Sequence, residues 1–196
     1  NNKPLIAYTI EQALDSKIFD HVIVSTDSET IAQKAKDFGA EVWFIRPKEL
    51  ATDFVGKVSV VRHATQEAEK YYKTKFDIIV DLDITSPLRS VNDIQKALKH
   101  FIDTKASNLI TACPSRKSPY FNMVTVDENN YSSLVLPPNL AIFRRQDTPV
   151  VFDMTTVAYV VSQHFVHEHD NPLGGRVRSI YVPRERALDI DTLLDF

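Results

Sequence analysis

The stretch DIIVDLDITSPLRSVNDIQKALKHF, residues 77–101, determines the fold that we expect. It begins with an apolar run bounded by Asp77 and Asp83, which is typical of a strand covered on both faces. Pro87 ends this run, and Ser90 precedes apolar residues at helical spacing, so a helix should follow. A buried strand that leads into a helix is the repeating unit of an α/β protein.

The segments on either side repeat this unit. Short apolar runs rich in β-branched residues alternate with segments of helical spacing, and Thr26 and Glu29 fit a capping box for a helix that ends at Gly39. Strands are expected at about 22–25, 42–45, 109–113, 157–161 and 177–182, and helices at about 4–16, 26–39, 58–72 and 90–101. This order predicts a doubly wound α/β fold with a mostly parallel sheet.

Residues 115–152 differ in composition from the rest of the chain. They contain four prolines, several polar clusters and a short alternating run at 123–126. Proline cannot donate to a strand ladder, so any strands there should be short or lie at an edge. We expect a β-rich arm at 115–152, inserted between two parts of one α/β core, 1–114 and 153–196.

The composition excludes several classes of protein. With 23 Lys and Arg against 26 Asp and Glu, the net charge of −3 gives no bulk attraction to nucleic acid or an anionic membrane. The longest apolar run, 157–161, is far shorter than the roughly 18 residues of a membrane span. The four glycines form neither GxGxxG nor GxxxxGK(S/T), the dinucleotide and P-loop motifs. We therefore expect a soluble cytoplasmic protein with no nucleic-acid or membrane partner.

Polar clusters stand at four predicted strand ends, where ligands bind in an open parallel sheet. They are 25–27, 46–49, 83–87 (with Asp83, Thr85 and Ser86) and 189–191. Residues two apart in an extended segment face one side, so Asp189 and Asp191 can direct both carboxylates at one point. Such a pair is a half-site for Mg²⁺, which keeps waters and takes further ligands from substrate phosphates. A solvated surface pair is the alternative.

Three basic residues are candidates for anion contacts. Arg46 follows a predicted strand and could bind a phosphate or carboxylate through two parallel hydrogen bonds. Lys57, beside Gly56 at a helix start, could neutralise a phosphate, and Arg145 in the arm could contact an anion or a partner chain. For each of them, spacing alone leaves a solvated surface residue as the alternative.

Five blocks of the sequence, in their order along the chain, resemble one family. They are KPLIAYTI at 3–10, VSTD at 24–27, RPKELATD at 46–53, TSPLR at 85–89 and LDIDT at 188–192. Together they resemble the acylneuraminate cytidylyltransferases, the CMP-sialic acid synthetases, over essentially the whole chain.

The resemblance implies a nucleotidyltransferase α/β fold. It also implies an enzyme that joins CMP from CTP to a nine-carbon 2-keto sugar acid, releases pyrophosphate with Mg²⁺ and serves cell-surface polysaccharide synthesis. A homodimer is implied, in which the arm at 115–152 reaches the neighbouring active site. The resemblance assigns Asp189 and Asp191 to the catalytic metal, Arg46 and Lys57 to the nucleotide, Asp83, Thr85 and Ser86 to the sugar, and Arg145 to a contact across the dimer.

The chain departs from the family pattern at two places. The family has a strand and a glycine-containing basic phosphate-binding loop before the helix that follows Lys3, and we expect that loop to lie outside the given sequence. Sialic acid enzymes carry Gln-Pro where this chain has Asp83 and Ile84, and an acidic side chain favours a donor on the sugar. The stretches DLDITSPLR at 81–89 and YFNM at 120–123 resemble the synthetases for relatives of sialic acid such as legionaminic acid, which favours that substrate. The alternatives are another acidic sugar, such as pseudaminic or 3-deoxy-octulosonic acid, and a catalytically silent nucleotide-sugar binding homologue.

Overall fold

The computed structural model describes residues 3–138 and 142–196; residues 1–2, and residues 139–141 within the predicted arm, lie outside the described part. The helices are α1 Leu5–Ser16, α2 Glu29–Asp37, α3 Lys57–Tyr72, α4 Val91–Asp103 and α5 Gln163–Glu168. The strands are β1 Ile78–Asp81, β2 Asn108–Pro114, β3 Val124–Val126, β4 Ser132–Leu134, β5 Phe152–Ser162 and β6 Val177–Tyr181. Within the described ranges, no helix is long and apolar enough to cross a membrane.

The main sheet has the strand order β1-β5-β2-β6. β2 and β6 are parallel, whereas β5 lies antiparallel between β1 and β2. Three of the four strands therefore run in one direction, which agrees with the mostly parallel sheet that we expected. β5 is the exception because the chain returns from 115–152 directly beside β2, where the register shifts between Ile110 and Thr111.

Helices cover both faces of this sheet, which confirms the doubly wound α/β class. Side chains alternate between the two faces along a strand. In β5, Ala158 and Val160 pack in the cluster that contains Phe101 of α4. Val161, on the other face, packs with Phe165 of α5 and the half-buried Val61 of α3. Tyr159 shares the face of Val161 and so points toward the side covered by α3.

The start of α4 was predicted correctly from residues alone. Ser90 is the N-cap, its side chain accepts a hydrogen bond from Asp93 N, and the Asp93 side chain accepts one from Ser90 N. This reciprocal capping box satisfies donors that a helix start leaves without internal partners. It also fixes the carboxylate of Asp93 at the beginning of the helix.

Two predictions for the region before α3 were wrong. Neither of the strands expected at 22–25 and 42–45 forms a named ladder in the described ranges; Ile23 makes one isolated parallel bridge, with Glu41, the residue just before the second expected strand. Val24 N donates a hydrogen bond to Glu41 O, and Glu41 N donates one to Val22 O. These bonds are too few to form a ladder. The N-cap of α2 is Ser28 rather than Thr26, because the Ser28 hydroxyl accepts from the backbone N–H of the third residue after it.

The segment 115–152 contains a separate two-stranded sheet made of β3 and β4. Val124 pairs with Leu134 and Val126 with Ser132 in an antiparallel register. Both valines are exposed, so the hairpin buries little apolar surface within the chain. The boundaries of the arm, and its role in a dimer, stay predictions.

Candidate active site

A lysine and two aspartates meet at the carboxyl end of β1. Asp81 is the last residue of this strand, Asp83 follows two residues later, and Lys57 is the first residue of α3. Lys57 Nζ donates a hydrogen bond to Asp83 Oδ2 and lies 3.0 Å from Asp81 Oδ2. The same ammonium lies over the ring of Tyr159, 4.0 Å from its centroid. One cation is thus shared by two carboxylates above an aromatic ring.

Burial and charge act in opposite directions on these groups. Burial alone would lower the pKa of Lys57, but Asp81 and Asp83 outweigh it and raise the pKa, so the ammonium stays charged. Burial raises the pKa of Asp83, and the neighbouring carboxylate of Asp81 adds to this while Lys57 opposes it. The net rise follows because a single ammonium cannot fully compensate two half-buried carboxylates. The pKa of Tyr159 is raised chiefly by burial, with the charge of Asp189 among its contributors, so the phenol keeps its proton.

The loop 83–89, between β1 and α4, is held in place by hydrogen bonds of a buried arginine. Arg89 is 2% exposed and donates to Ser86 O and Val157 O, each at 3.0 Å, and to Thr9 Oγ1 at 3.3 Å. Thr9 in turn donates to Asp83 O, which ties the loop to α1. Burial lowers the pKa of Arg89 to about 10, so the guanidinium remains charged at neutral pH.

The hydroxyl of Ser86 is also part of this internal network. Ser86 is fully buried, and its Oγ lies 2.6 Å from Thr156 Oγ1 on β5. The sugar contact expected of Ser86 stays a prediction; the whole residue is buried, and its carbonyl oxygen accepts a hydrogen bond from Arg89. Thr85 is half-buried, and its carbonyl oxygen accepts a hydrogen bond from Ile190 N at 2.9 Å.

That hydrogen bond brings the second acidic cluster to the loop. Ile190 stands between Asp189 and Asp191, so its bond to Thr85 O sets both aspartates beside the strand-end loop. Asp189 Oδ1 is buried and has no hydrogen-bond partner among the described residues. Asp191 is exposed. The two carboxylates that we expected to act together therefore differ in environment: Asp191 is exposed, whereas Asp189 is half-buried with one buried oxygen.

The donors fit a magnesium half-site better than a complete protein cage. Within residues 3–138 and 142–196, no group of three or more His, Cys, Asp or Glu side chains is arranged to hold a metal. Mg²⁺ is usually held by one or two carboxylates, with waters and substrate phosphates as the other ligands. Asp189 Oδ1 is an oxygen donor not engaged by the described part of the protein, and Asp191 adds an exposed carboxylate. These residues fit such an ion.

The two predicted arginines contact other parts of the chain. Arg46 Nη2 lies 3.9 Å from Asp27 Oδ1, and its buried Nε has no hydrogen-bond partner in the described ranges. Arg145 lies in the arm, is exposed, and donates to Ser115 O at 2.8 Å within the same chain. Their roles toward a nucleotide and across a dimer stay predictions.

Sequence reasoning missed two members of the cluster, Asp81 and Tyr159. Asp81 and Asp83 have the same two-residue spacing as Asp189 and Asp191, which was a usable signal. The sequence pattern places Tyr159 in an apolar strand and indicates no contact for its ring. Its ring lies under Lys57 only because β5 packs beside β1, and spacing does not reveal this pairing.

Comparison with known proteins identifies the family. A family model described as cytidylyltransferase matches residues 1–192. The chain is 40% identical over 196 residues to the CMP-N,N'-diacetyllegionaminic acid synthase of Campylobacter jejuni, covering 100% of this chain and 82% of that protein. It is 39% identical, with the same coverage, to the post-translational flagellin modification protein B of Campylobacter coli. A crystal structure of a 4-diphosphocytidyl-2C-methyl-D-erythritol synthase superposes with a TM-score of 0.69 at 12% identity, covering 97% of this chain and 86% of that one, and supports the fold.

The chain therefore belongs to the cytidylyltransferase family and is an enzyme of the nucleotidyltransferase class.

Proposed function

We propose that this cytidylyltransferase joins CMP from CTP to a nine-carbon 2-keto sugar acid of the sialic or legionaminic type and releases pyrophosphate. The observation that carries the proposal is the hydrogen bond from Ile190 N to Thr85 O. It holds the proposed metal side of the site, at Asp189 and Asp191, against the proposed sugar side, at Asp83. The similarity to a CMP-N,N'-diacetyllegionaminic acid synthase supports the class of sugar.

In the proposed reaction, the anomeric hydroxyl oxygen attacks the α-phosphorus of CTP. A phosphorus–oxygen bond forms to the sugar, the bond to pyrophosphate breaks, and the hydroxyl proton is released. Pyrophosphate is a charged leaving group, so the protein contributes mostly position and charge neutralisation. Mg²⁺ held by Asp189 and Asp191 would neutralise triphosphate charge and lower the pKa of the attacking hydroxyl.

The basic residues serve the nucleotide in this proposal. Arg46 carries a guanidinium that suits a phosphate or carboxylate. Lys57 is more constrained, because its ammonium is already shared by Asp81 and Asp83. A nucleotide that recruits Lys57 must compete with one of these carboxylates, which would free that carboxylate for another donor.

The sugar is assigned to the strand-end loop. A carboxylate at Asp83 accepts hydrogen bonds and does not attract the carboxylate of a sugar acid. It suits a hydroxyl or amide N–H on the sugar, which favours the acylated amino groups of a legionaminic acid. The half-buried Thr85 is the other proposed sugar contact on this side of the site, and the buried Ser86 supports the loop through its hydroxyl contact with Thr156.

A homodimer is part of the proposal. In the arm, Val126, Tyr131, Phe143 and Val150 are strongly exposed. A second copy of the chain would cover such apolar side chains, and Arg145 would then contact the neighbouring active site. The reaction is assigned to the cytoplasm.

A substrate panel tests the proposal. The protein is incubated with CTP, Mg²⁺ and one sugar acid at a time: N-acetylneuraminic, N,N'-diacetyllegionaminic, pseudaminic and 3-deoxy-octulosonic acid. Pyrophosphate release and the CMP-sugar are measured. We expect the highest kcat/KM with the legionaminic acid and no product with ATP or UTP. CTP binding without product from any of these acids would support the silent homologue instead.

A further inference from the structure

We infer that Arg186 and Asp93 are positioning residues, whose paired hydrogen bonds fix the segment that carries Asp189 and so set the affinity of the site for a divalent cation bound with CTP. The inference rests on the proposed function, because it takes Asp189 as a metal ligand. Neither Arg186 nor Asp93 belongs to the motifs on which the family resemblance was based.

Arg186 and Asp93 are joined by two hydrogen bonds, one to each carboxylate oxygen. Arg186 Nε donates to Asp93 Oδ2 at 2.7 Å, and Arg186 Nη2 donates to Asp93 Oδ1 at 2.9 Å. A guanidinium paired with both oxygens of a carboxylate holds orientation as well as distance, which a lysine cannot do. Asp93 is only 4% exposed, and Ser90 also donates to its Oδ2, so the acceptor is itself fixed.

Arg186 is the last residue of a short 3₁₀ helix, Arg184–Arg186, and stands three residues before Asp189. Residues 187–191 have no helical or strand structure, so no ladder holds them. After them, Leu193 is 96% and Leu194 94% exposed, and neither anchors the segment within the described chain. The position of Asp189 therefore depends on contacts at Ala187 and Ile190 and on Arg186.

Two of these contacts end on the same part of the fold. Ile190 N donates to Thr85 O, in the loop before α4, and Arg186 binds Asp93 in the first turn of α4. Ala187 packs against the cluster of Cys113, Val157 and Val182. Asp189 thus lies between two polar connections to the junction of the strand-end loop and α4. If one is lost, Asp189 keeps its chemistry but loses a fixed position relative to Asp83.

Arg184 provides a matched control. It belongs to the same 3₁₀ helix, but its Nη2 donates to Pro114 O at 2.7 Å and lies 3.5 Å from Asp153 Oδ2. It therefore connects the helix to the ends of β2 and β5 instead of α4. If both arginines serve only the stability of the fold, substituting either one should have the same effect on cation binding. If Arg186 positions Asp189, only its substitution should weaken cation binding.

The test compares Arg186→Lys, Arg186→Gln, Asp93→Asn and Arg184→Gln with the wild-type protein. Mn²⁺ binding in the presence of CTP, without sugar, is measured by titration, and the melting temperature is measured without ligands. The dependence of kcat on Mg²⁺ concentration is measured with sugar present. We expect the Arg186 and Asp93 variants to weaken Mn²⁺ binding about 10-fold, the lower end of the loss seen when a group bonded directly to a metal ligand is removed, because this pair acts on Asp189 through the chain. Arg184→Gln should lower the melting temperature by about as much as Arg186→Gln does. Its affinity for Mn²⁺ should stay within about twofold of the wild-type value.

The outcomes separate the inference from the proposed function. Tight Mn²⁺ binding by the wild type with unchanged affinity in Arg186→Lys and Asp93→Asn overturns the positioning role alone. Absence of CTP-dependent Mn²⁺ binding by the wild type overturns the metal assignment, and the inference with it. Arg186→Lys keeps the charge, and Asn at position 93 keeps an acceptor for Ser90, so both should fold even if Arg186→Gln does not.

Discussion

The loop 83–89 and the tail 187–196 both contribute residues to the candidate site, but they are held in opposite ways. The loop rests on the buried Arg89 and Ser86, which are hydrogen-bonded to α1 and β5. The tail has no regular structure up to residue 191 and ends in exposed Leu193 and Leu194. Substitutions of the buried loop residues Ser86 and Arg89 should therefore act mainly on folding, and substitutions of the tail residues Asp189 and Asp191 mainly on catalysis.

The largest effect is expected from Arg89→Met in the loop. The change removes the side-chain donor to the buried Val157 O, and a buried acceptor left without its donor costs about 1–3 kcal/mol. It also removes the side-chain hydrogen bonds to Thr9 Oγ1 and to Ser86 O, although Ser86 O keeps the backbone N–H of residue 89 at 3.4 Å. We expect the free energy of unfolding to fall by about 3 kcal/mol, as for other losses of a buried hydrogen-bond network. Urea denaturation measures it. Arg178→Met, at an exposed position of β6, is the control and should stay within about 0.5 kcal/mol of wild type. A similar loss for both variants would remove the special role of Arg89.

Asp189→Asn should have the converse effect in the tail. We expect kcat to fall about 100-fold, the lower end for loss of one group that stabilises transition-state charge. The free energy of unfolding should be unchanged or slightly higher, because a buried carboxylate oxygen without a described partner contributes no hydrogen bond to folding. Initial rates of pyrophosphate release and urea denaturation measure the two quantities. Glu185→Gln, an exposed change in the nearby 3₁₀ helix, is the control. Near-normal kcat in Asp189→Asn would reject its catalytic assignment.

The Arg186–Asp93 pair connects the two regions, and the stability that it contributes should be lost at acid pH. Burial alone would raise the pKa of Asp93, but hydrogen bonds from Arg186 and Ser90 outweigh it and lower the pKa below its usual 3.8. A lowered pKa in the folded state gives stability that is present above the unfolded pKa and lost as pH falls through the folded value. Asp93→Asn should therefore be less stable than wild type near neutral pH, and the difference should shrink below about pH 3.8. Urea denaturation of both proteins over this range measures it, and a constant difference would contradict this account.

The smallest effect is expected from Ser86→Ala. The change removes the 2.6 Å hydroxyl contact with Thr156, which is worth about 1 kcal/mol. If the hydroxyl serves only the internal network, KM for the sugar should stay unchanged. The double variant with Thr156→Val should lose less stability than the sum of the single changes, because both remove the same contact. A raised KM with unchanged stability would instead favour a direct sugar contact.

Most of the fold could be predicted from sequence because its signals are local. The spacing of apolar residues located four of the five described helices to within about three residues, and Ser90 marked the start of α4. The strands at 22–25 and 42–45 were overestimated, since an apolar run indicates an extended segment but not how many bonds a neighbour supplies. The antiparallel direction of β5 also has no local signal, because the same side-chain alternation serves either direction.

The candidate site shows the same division. The sequence by itself determined which acidic and basic side chains stand at strand and helix ends, because the periodicity of the backbone sets local direction within a few residues. Only the tertiary structure decided which of them meet: Lys57 with Asp83 across 26 positions of the chain, and Arg186 with Asp93 across 93. Such pairs depend on the order in which strands pack, and the distance between charges, which governs their energy, is not encoded in their separation along the chain.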